Sequence, residues 1–506
     1  MAVAEREQLE NPLLEGLQLS RAPEPCALVI FGASGDLTRR KLFPALYSLA
    51  FRRLLPESFA VVGVARSGWS TDEFVGRMEE AVKQYGRDEF RDDVWDAFAE
   101  GIRYVSTDFA DDGGEDRVVQ TLNEFDEQRG TRGNRVYYLA VPPGAIETIV
   151  EELGERRQTE GWTRLIVEKP FGHDLASARA LNETIHRYFT EDEVFRIDHY
   201  LGKETVQNML ALRFANGIFE PIWNRQFIRH IQVTVAESLG IEGRADFYEQ
   251  AGAIRDIVQN HLLQLVAVTA MEPPIDFTAD SVRNEKVKVL RAMHTPAPKH
   301  VVRGQYGRGY VEGKEVPAYR EEEGVAPDST TETFVAAKLY VDNWRWADTP
   351  IYVRTGKRMP RRETTIAIEF ERAPHPPFEE VAGGEMRPNV LIVHIQPNEG
   401  VSLEVGAKVP GQGMRIRTVH MDFLYGGAFR TGLPEAYERL ILDAMLGDAT
   451  LFTRSDEIEE QWALVDSIVA LWQRERPNFP NYPAGTWGPP GGDELLARDA
   501  RAWRTH

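Results

Sequence analysis

Cysteine is almost absent from this sequence of 506 residues. Cys26 is its single cysteine, which excludes an intrachain disulfide and any metal cluster built on cysteine ligands. Because Cys26 begins an apolar run, we expect a small packed side chain and not a nucleophile.

Long apolar runs are also missing. No stretch approaches the roughly 20 residues that span a bilayer. Residues 1–25 lack the basic start and apolar centre of a secretory signal. We therefore predict a cytoplasmic location without a membrane partner, and a disordered tail over residues 1–25.

Positive charge is in deficit. Lys and Arg number 59 against 79 Asp and Glu, so the net charge is −20. A negative charge of this size disfavours nucleic acid as a partner. An anionic substrate would need local cations to overcome the repulsion. The chain length and the hydrophobic content of 42% suit a globular protein of two domains.

The first apolar run covers residues 26–31 and is typical of a parallel strand buried on both faces. A turn with the sequence Gly-Ala-Ser-Gly-Asp-Leu follows at residues 32–37, and a helical pattern comes next. Glycine allows a pyrophosphate to approach the backbone, and a helix N-terminus offers it free N–H groups. The order strand, turn, helix favours a dinucleotide site over a simple tight turn.

A second apolar run, residues 59–65, ends at Arg66. In a dinucleotide fold an acidic residue here would hold a ribose hydroxyl, whereas an arginine can neutralise a 2′-phosphate. The sequence therefore predicts NADP over NAD; an arginine merely exposed at a strand end is the alternative. Strands and helices alternate up to residue 200, which indicates a doubly wound parallel sheet. Its further strands are predicted at residues 102–105, 136–141 and 165–167.

Lys169 lies at the end of a predicted strand, directly before Pro170, whose peptide bond could be cis or trans. A lysine before proline is usually a turn residue, but this one lies on the ligand side of the predicted sheet. The segment Arg-Ile-Asp-His-Tyr-Leu-Gly-Lys at residues 196–203 comes where the alternating pattern stops. Ligand sites form at such junctions, although a solvated turn with paired charges is also possible.

Residues 248–271 show the pattern of one long helix. His261 falls on its apolar stripe, seven residues after Ile254, so a core histidine with a satisfied hydrogen bond is a serious alternative to a functional one. Asp256 and Asn260 lie one turn apart on a different, polar face.

From about residue 332 the pattern is mostly strand, and alternation at residues 364–370, 391–396 and 401–405 predicts antiparallel strands with one covered face. The densest basic patch, residues 356–362, lies between strands. It is either a loop that answers neighbouring carboxylates or a clamp for a phosphate or carboxylate.

Together these segments resemble glucose-6-phosphate dehydrogenases over nearly the whole chain after residue 25. The most specific is the eight-residue segment 196–203. The others are Glu-Lys-Pro-Phe-Gly at 168–172, Ile-Arg-Asp-Ile-Val-Gln-Asn-His-Leu-Leu-Gln at 254–264, Gln-Pro-Asn-Glu at 396–399, Tyr-Glu-Arg-Leu-Ile-Leu-Asp at 437–443 and the glycine turn at 32–37.

The resemblance implies oxidation of glucose 6-phosphate at C1 to 6-phosphogluconolactone with hydride transfer to NADP, the first step of the oxidative pentose phosphate pathway. It implies a class of α/β plus α+β. A Rossmann-type NADP-binding domain at 26–200 would precede a substrate-binding and dimerisation domain at 201–506, with a large, mostly antiparallel sheet covered by helices. It also implies a homodimer or homotetramer, and no metal.

The resemblance assigns His261 as the general base and Asp198 as the group that orients it. It places His199, Tyr200 and Lys203 at the sugar phosphate. The other substrate-binding positions are Lys169, Glu237, Asp256, Lys357, Arg362 and Gln396. The coenzyme site would consist of Gly32, Ser34, Gly35, Asp36, Leu37, Arg66 and, again, Lys169.

The chemistry agrees with these residue types. Hydride leaves C1 only as its hydroxyl loses a proton, and an imidazole of ordinary pKa near ~6.5 is a suitable acceptor. Two alternatives remain at this point. A sugar oxidoreductase of another family could share the Rossmann domain, open sheet and Glu-Lys-Pro, but would leave residues 198–203 unexplained. A catalytically silent NADP sensor or assembly factor need not retain both Asp198 and His261.

Overall fold

The structure is a computed structural model that describes residues 22–107, 114–157, 160–375, 387–412, 414–426, 435–473 and 476–504. Most of the tail predicted at residues 1–25 lies outside the described residues. The chain divides into two compact units. Unit 1 comprises Met1–Ala140, Gln158–Arg164 and Ile441–Asp448, and unit 2 comprises Val141–Arg157, Leu165–Leu440 and Ala449–His506.

The described strands fall in three stretches of the chain. Those of the N-terminal stretch are β1 (Cys26–Phe31), β2 (Phe59–Ala65), β3 (Ile102–Ser106), β4 (Arg135–Leu139), β5 (Thr163–Val167) and β6 (Val194–Arg196). The middle stretch has β7 (Ile228–Ala236), β8 (Val301–Gly304), β9 (Tyr306–Gly307), β10 (Gly309–Val311), β11 (Lys314–Val316), β12 (Phe334–Leu339) and β13 (Ile351–Gly356). The C-terminal stretch has β14 (Glu363–Phe370), β15 (Val390–Gln396), β16 (Gly400–Lys408), β17 (Ile416–Leu424) and β18 (Tyr482–Pro483).

Helices occupy the connections. Up to residue 214 they are α1 (Phe43–Phe51), α2 (Thr71–Tyr85), α3 (Asp92–Ala99), α4 (Gly114–Arg129), α5 (Ile146–Glu155), α6 (Leu175–His186) and α7 (Glu204–Phe214). Beyond it they are α8 (Ala245–Ala253), α9 (Leu263–Ala270), α10 (Ala279–Arg291), α11 (Ala436–Leu446), α12 (Ser455–Trp472) and α13 (Pro490–Ala497). Two segments are π-helical, Thr38–Leu42 and Ile254–Leu262.

In unit 1, strands β1–β4 are parallel and lie in the order β3-β2-β1-β4. Every residue of β1 and β2 is buried, as their uninterrupted apolar sequences require. Because β1 is central and the chain adds strands on both sides of it, the sheet is doubly wound. Cys26 is buried in β1, where burial raises the pKa of its thiol to about 12. It is a packing residue, as predicted.

In unit 2, β5 and β6 pair in parallel from Leu165 onward. Its main layer is an eight-stranded sheet with the order β17-β16-β15-β14-β7-β13-β12-β8. The β7–β13 pair is parallel and the other neighbours are antiparallel. We predicted a doubly wound parallel sheet followed by a larger, mostly antiparallel sheet, and this order is confirmed.

The long helix predicted at residues 248–271 is not regular, and that prediction needs correction. The backbone kinks at Gly252, whose φ of 59° and ψ of −179° suit glycine alone. The π-helical segment follows, and α9 completes the run. The π segment contacts β7, β12 and β13, so its residues lie against the centre of the large sheet.

Helices of the described ranges are all too short or too polar to cross a membrane.

Candidate active site

The site is organised around a pair formed by Asp198 and His261. The Nδ1 atom of His261 lies 2.5 Å from Oδ1 of Asp198, and both side chains are buried. A carboxylate can only accept a hydrogen bond, so Nδ1 carries the proton and Nε2 presents a lone pair. The same Asp198 oxygen accepts the Tyr200 backbone N–H at 3.0 Å, which fixes the carboxylate.

Two elements of unit 2 bring the pair together. β6 ends at Arg196, and the Ile197 N–H donates to the Val167 carbonyl at 2.9 Å, so Asp198 follows directly at the carboxyl edge of the parallel strands. His261 comes from the π-helical segment, where its backbone N–H donates to the Asn260 side chain at 2.6 Å. His261 is buried, yet its ring meets polar partners.

Lys169 bridges two of the predicted residues. Its Nζ lies 2.9 Å from His261 Nε2, 3.0 Å from the Asp256 carbonyl oxygen and 3.3 Å from Asp256 Oδ1. The peptide bond to Pro170 is cis. Asp256 and His261 are five residues apart, which would separate them by about 140° around a regular α-helix. A π-helix bonds residues i and i+5, so it places both on one side. The expectation that Asp256 faces away from His261 was therefore wrong.

Burial and charge set the protonation states of this cluster. Burial would raise the pKa of Asp198, but the charge and hydrogen bond of His261 outweigh it and hold the pKa at about 2. Burial lowers the pKa of His261 below its usual 6.5, and Asp198 opposes part of that change. Burial also lowers the pKa of His199 strongly, with His261 and Lys169 adding to the effect. Both imidazoles are therefore neutral at pH 7.

A second group of predicted residues carries balanced charge. Lys357 donates to Glu237 at 2.7 Å and lies 3.7 Å from Asp256 Oδ2. Burial alone would raise the pKa of Asp256, but Lys169 and Lys357 outweigh it and hold the pKa at about 2. This carboxylate therefore stays ionised between two ammonium groups.

Gln396, at the end of β15, joins another part of the site. Its amide nitrogen donates to the Tyr200 hydroxyl and to Thr364 Oγ1, both at 3.2 Å, and its amide oxygen accepts from Arg362. The Tyr200 ring stacks on His261, with ring centroids 4.3 Å apart. Two residues of the basic patch predicted at 356–362 therefore have different partners. Lys357 contacts the carboxylates of Glu237 and Asp256, whereas Arg362 contacts the Gln396 amide.

His199 and Lys203 flank the same ring system. The His199 and His261 rings meet edge to face with centroids 4.5 Å apart, and Tyr437 stacks on His199 at 6.3 Å. Lys203 Nζ lies 4.8 Å from the centroid of the Tyr200 ring.

These residues surround one pocket of about 500 Å³ within unit 2. Of the predicted substrate-binding and catalytic residues, eight line it: Lys169, His199, Tyr200, Glu237, Asp256, His261, Arg362 and Gln396. Lys357 and Asp198 lie behind these residues, in contact with them. Lys203 is adjacent to the lining without forming part of it.

Several lining residues were not among the predicted substrate-binding and catalytic residues: Val141, Pro142, Pro143, Pro170, Ala236, Arg244, Phe247, Arg255, Ile257, Asn260 and Thr364. Arg255 and Asn260 stand inside the motif at 254–264, and Asn260 was noted there only as a polar helix residue. Arg244 and Phe247 carried no sequence signal, because the loop and helix that hold them have no motif of their own.

The predicted coenzyme residues of unit 1 form a separate set. The Gly32 and Ala33 N–H groups both donate to the Val64 carbonyl, at 2.9 and 3.1 Å, so the glycine turn lies at the end of β2. Arg66 follows two residues later and is exposed. The φ of Gly32 is 79°, and a Cβ on Gly35 would lie 3.0 Å from the Gly32 carbonyl oxygen. The glycine turn and Arg66 thus follow the ends of two neighbouring parallel strands, β1 and β2.

The other predicted coenzyme residues of the turn also reach the surface. Ser34 and Leu37 are partly exposed, and Asp36 is exposed and paired with Arg40 at 2.8 Å.

Donor atoms of Asp198, His199 and His261 lie within 4.8 Å of one another, a set that could hold a metal ion. Both nitrogens of His261 already contact other side chains, however, and the Lys169 ammonium beside Nε2 would repel a cation. The arrangement suits proton transfer from a bound hydroxyl to Nε2.

Known families match this chain over most of its length. The model for "Glucose-6-phosphate dehydrogenase, NAD binding domain" matches residues 29–208, and the one for "Glucose-6-phosphate dehydrogenase, C-terminal domain" matches residues 210–504. A glucose-6-phosphate 1-dehydrogenase 2 of Mycobacterium tuberculosis is 49% identical over 503 residues, covering 98% of each chain. The glucose-6-phosphate 1-dehydrogenase of Bacillus subtilis is 45% identical and covers 94% of this chain and 97% of its own.

Solved structures agree. A glucose-6-phosphate dehydrogenase in complex with glucose-6-phosphate superposes with a TM-score of 0.88 at 36% identity, covering 96% of this chain and 99% of its own. The enzyme from Mycobacterium avium gives 0.82 at 38% identity with the same coverage. The resemblance predicted from the motifs is confirmed, and the chain belongs to the glucose-6-phosphate dehydrogenase family of oxidoreductases.

Proposed function

We propose that the protein oxidises glucose 6-phosphate at C1 to 6-phosphogluconolactone and transfers the hydride to NADP. It would thus perform the first step of the oxidative pentose phosphate pathway, in the cytoplasm. The observation that carries the proposal is the Asp198–His261 pair, whose unprotonated Nε2 faces a pocket of sugar-phosphate size. A catalytically silent relative would have no need of this pair.

His261 acts as the general base. Its Nε2 removes the C1 hydroxyl proton, and Asp198, already ionised, stabilises the imidazolium that results. Lys169 now lies 2.9 Å from that nitrogen. We infer that the incoming hydroxyl takes this place, after which the ammonium stabilises negative charge on the oxygen as it loses its proton. The C1 hydroxyl would then lie within hydrogen-bond distance of Nε2, the atom that removes its proton.

The sugar and the phosphate are recognised by different chemistry. Glu237, Asp256 and Gln396 present donors and acceptors to the pocket, and Lys357 and Lys169 balance the two carboxylates, which suits the neutral hydroxyl groups of a hexose. The phosphate is held by Lys203, the Tyr200 hydroxyl and neutral His199. Arg362, which donates to Gln396, adds positive charge to the same pocket.

NADP would be held by residues 26–200, principally by the turn of Gly32, Ser34, Gly35, Asp36 and Leu37, with Arg66 at the 2′-phosphate. Residues 201–506 would bind the sugar and form the subunit interface. The nicotinamide ring accepts the hydride when bound.

The active species is proposed to be a homodimer or homotetramer. β17 lies at the edge of the large sheet, and its side chains Val419, Met421, Phe423 and Leu424 are 39–54% exposed. An apolar edge strand of nine residues favours coverage by a second copy. Met421→Glu should reduce the mass measured by light scattering, whereas Thr418→Glu on the same strand provides a control of equal charge.

Spectrophotometric assay of coenzyme reduction tests the activity. Glucose 6-phosphate and free glucose should be compared with NADP and NAD, and the lactone product should be identified by its hydrolysis to the acid. Reduction of NADP with glucose 6-phosphate at a kcat/KM well above that with glucose is expected. No reduction with any of the four combinations would refute the proposal.

A further inference from the structure

A buried ion pair lies behind the Asp198–His261 pair and takes no part in the proposed chemistry. Lys286 of α10 and Glu457 of α12 are 2.8 Å apart, with 1% and 0% of their side chains exposed. Removing two such charges from water is costly, and a well-packed apolar pair is often at least as stable. The pair therefore invites an explanation beyond stability.

Gln264 connects this pair to the helix of the catalytic base. It lies on α9, three residues after His261. Its amide oxygen accepts from Lys286 at 3.1 Å, and its amide nitrogen donates to Glu457 at 3.2 Å. The amide is buried completely, so both of its ends are fixed by the ion pair.

Thr453 connects the same ion pair to the segment that carries Asp198. Gln264 Nε2 also lies 3.5 Å from Thr453 Oγ1. The Thr453 backbone N–H donates to the Arg196 carbonyl at 3.0 Å, and these two residues form an antiparallel bridge. Arg196 stands two residues before Asp198.

Arg196 is itself held in place. Its buried guanidinium donates to Glu191 at 2.6 Å and to Asn182 at 3.1 Å. The other oxygen of Glu457 accepts the Arg454 backbone N–H at 3.2 Å, one residue after Thr453. The segments that carry Asp198 and His261 are thus both bonded to one buried polar cluster.

We propose that Lys286, Glu457 and Gln264 form a positioning unit that sets the separation between Asp198 and His261. The inference rests on the proposed function of that pair. None of the three residues touches the substrate pocket, so they act through the backbone segments that they hold. A loosened unit lets the Asp198–His261 hydrogen bond lengthen, which makes Nε2 a weaker base.

Gln264→Met tests the unit, because methionine keeps the volume and removes the three contacts of the amide, with Lys286, Glu457 and Thr453. We expect kcat to fall by about 10–100-fold, the cost of misplacing a catalytic group by a fraction of an ångström to 1 Å. The KM for glucose 6-phosphate should stay within about twofold. Asp198 now raises the pKa of His261, so a weaker contact should move the acidic limb of kcat to lower pH.

Lys338→Met serves as the control, since it removes a different ion pair of unit 2, Lys338–Asp499 at 2.6 Å. It should lower the melting temperature and leave kcat and the acidic limb unchanged. If Gln264→Met behaves in the same way, the unit is merely structural and the inference is wrong.

Two further measurements keep the test decisive. Should Gln264→Met not fold, the double variant Lys286→Met with Glu457→Gln removes the charges together and leaves neither one unpaired; the same outcomes apply to it. The downfield Nδ1–H proton resonance of His261, assigned by its loss in His261→Asn, reports the hydrogen bond without any turnover. It should shift upfield or broaden in the variants even if the wild type oxidises some other substrate. An unchanged resonance would overturn the positioning role.

Discussion

Replacing His261 with asparagine is the most informative perturbation of this protein. An asparagine amide can still donate to Asp198, so the variant avoids leaving a buried carboxylate without a partner, which would cost several kcal/mol. The variant loses the basic nitrogen together with the ring contacts to His199 and Tyr200. Folding and KM should be preserved while kcat falls by ~10²–10⁴-fold, the usual contribution of a general base.

The contribution of Asp198 can be estimated from the structure. Its pKa falls from an ordinary 3.8 to about 2 through the contact with His261. The pKa is lowered although burial would raise it, so the interaction with His261 exceeds the cost of burying the carboxylate. A hydrogen bond to a charged group contributes about 1.5–3 kcal/mol, or roughly 10–100-fold in rate if it serves the imidazolium formed in the transition state. Loss of tautomer control adds to this, so Asp198→Asn should lower kcat by at least ~10²-fold. The double variant should be little worse than His261→Asn, because the pair acts as one unit.

The pH dependence supplies an independent check. Burial places the pKa of His261 below 6.5, and only the neutral imidazole accepts a proton. Activity should therefore be constant above pH 6.5 and decline as the pH falls through the lowered pKa. Free glucose should be used beside glucose 6-phosphate, because the phosphate itself titrates near pH ~6. An acidic limb centred above pH 6.5 with both substrates would contradict the burial argument.

His230→Asn is the matched control for these variants. His230 is also a buried histidine of unit 2, and its ring contacts Gln232 at 3.0 Å. The His230→Asn variant should be less stable than the wild type and have the same kcat. A His261→Asn protein that shows the same pattern, less stable yet fully active while folded, would refute the assignment and make His261 a core residue.

Three further variants test recognition. Arg66→Ala should raise the KM for NADP by roughly tenfold to a hundredfold and that for NAD little, because a charge-assisted phosphate contact contributes ~1.5–3 kcal/mol; equal losses for both coenzymes would count against it. Lys203→Ala should weaken glucose 6-phosphate far more than glucose, and salt should reduce the wild-type preference in the same direction; an equal loss with glucose would make Lys203 structural. Lys357→Met should weaken both sugars alike, since Lys357 contacts Glu237 and Asp256. A loss confined to glucose 6-phosphate would reassign it to the phosphate.

Much of the fold could be predicted because local sequence and tertiary environment agree. β1 and β2 have the bounds that their apolar runs predicted, at residues 26–31 and 59–65. A fully buried parallel strand leaves no room for polar residues, so its sequence marks both of its ends. Pairing of residues far apart in the chain, such as Gln396 with Tyr200, follows from sheet order and left no local trace.

The π-helical segment shows where sequence reasoning stopped. A period of 3.6 residues placed Asp256 and His261 on different faces, and one backbone register change brought both to Lys169. The only local indication of an irregular helix was Gly252, because glycine destabilises a helix interior relative to alanine. Its space is restricted too, since a Cβ there would lie 2.2 Å from Glu332 Oε1. Such conflicts between local preference and structure are expected at functional sites.

The charge balance of the pocket explains how an acidic protein can bind an acidic sugar. Lys169 and Lys357 are both opposed by carboxylates, so the end of the pocket around Asp256 presents paired charges whose hydrogen bonds neutral hydroxyls can share. Such a cluster does little to offset a net charge of −20. Its paired charges can orient the hydroxyl groups of a sugar, but they do not attract an anion. Attraction for the phosphate must come from other cations, which are Lys203 beside Tyr200 and the three arginines that line the same pocket, Arg244, Arg255 and Arg362. Selectivity for the sugar and affinity for the phosphate therefore reside in different residues, so each can be changed without the other.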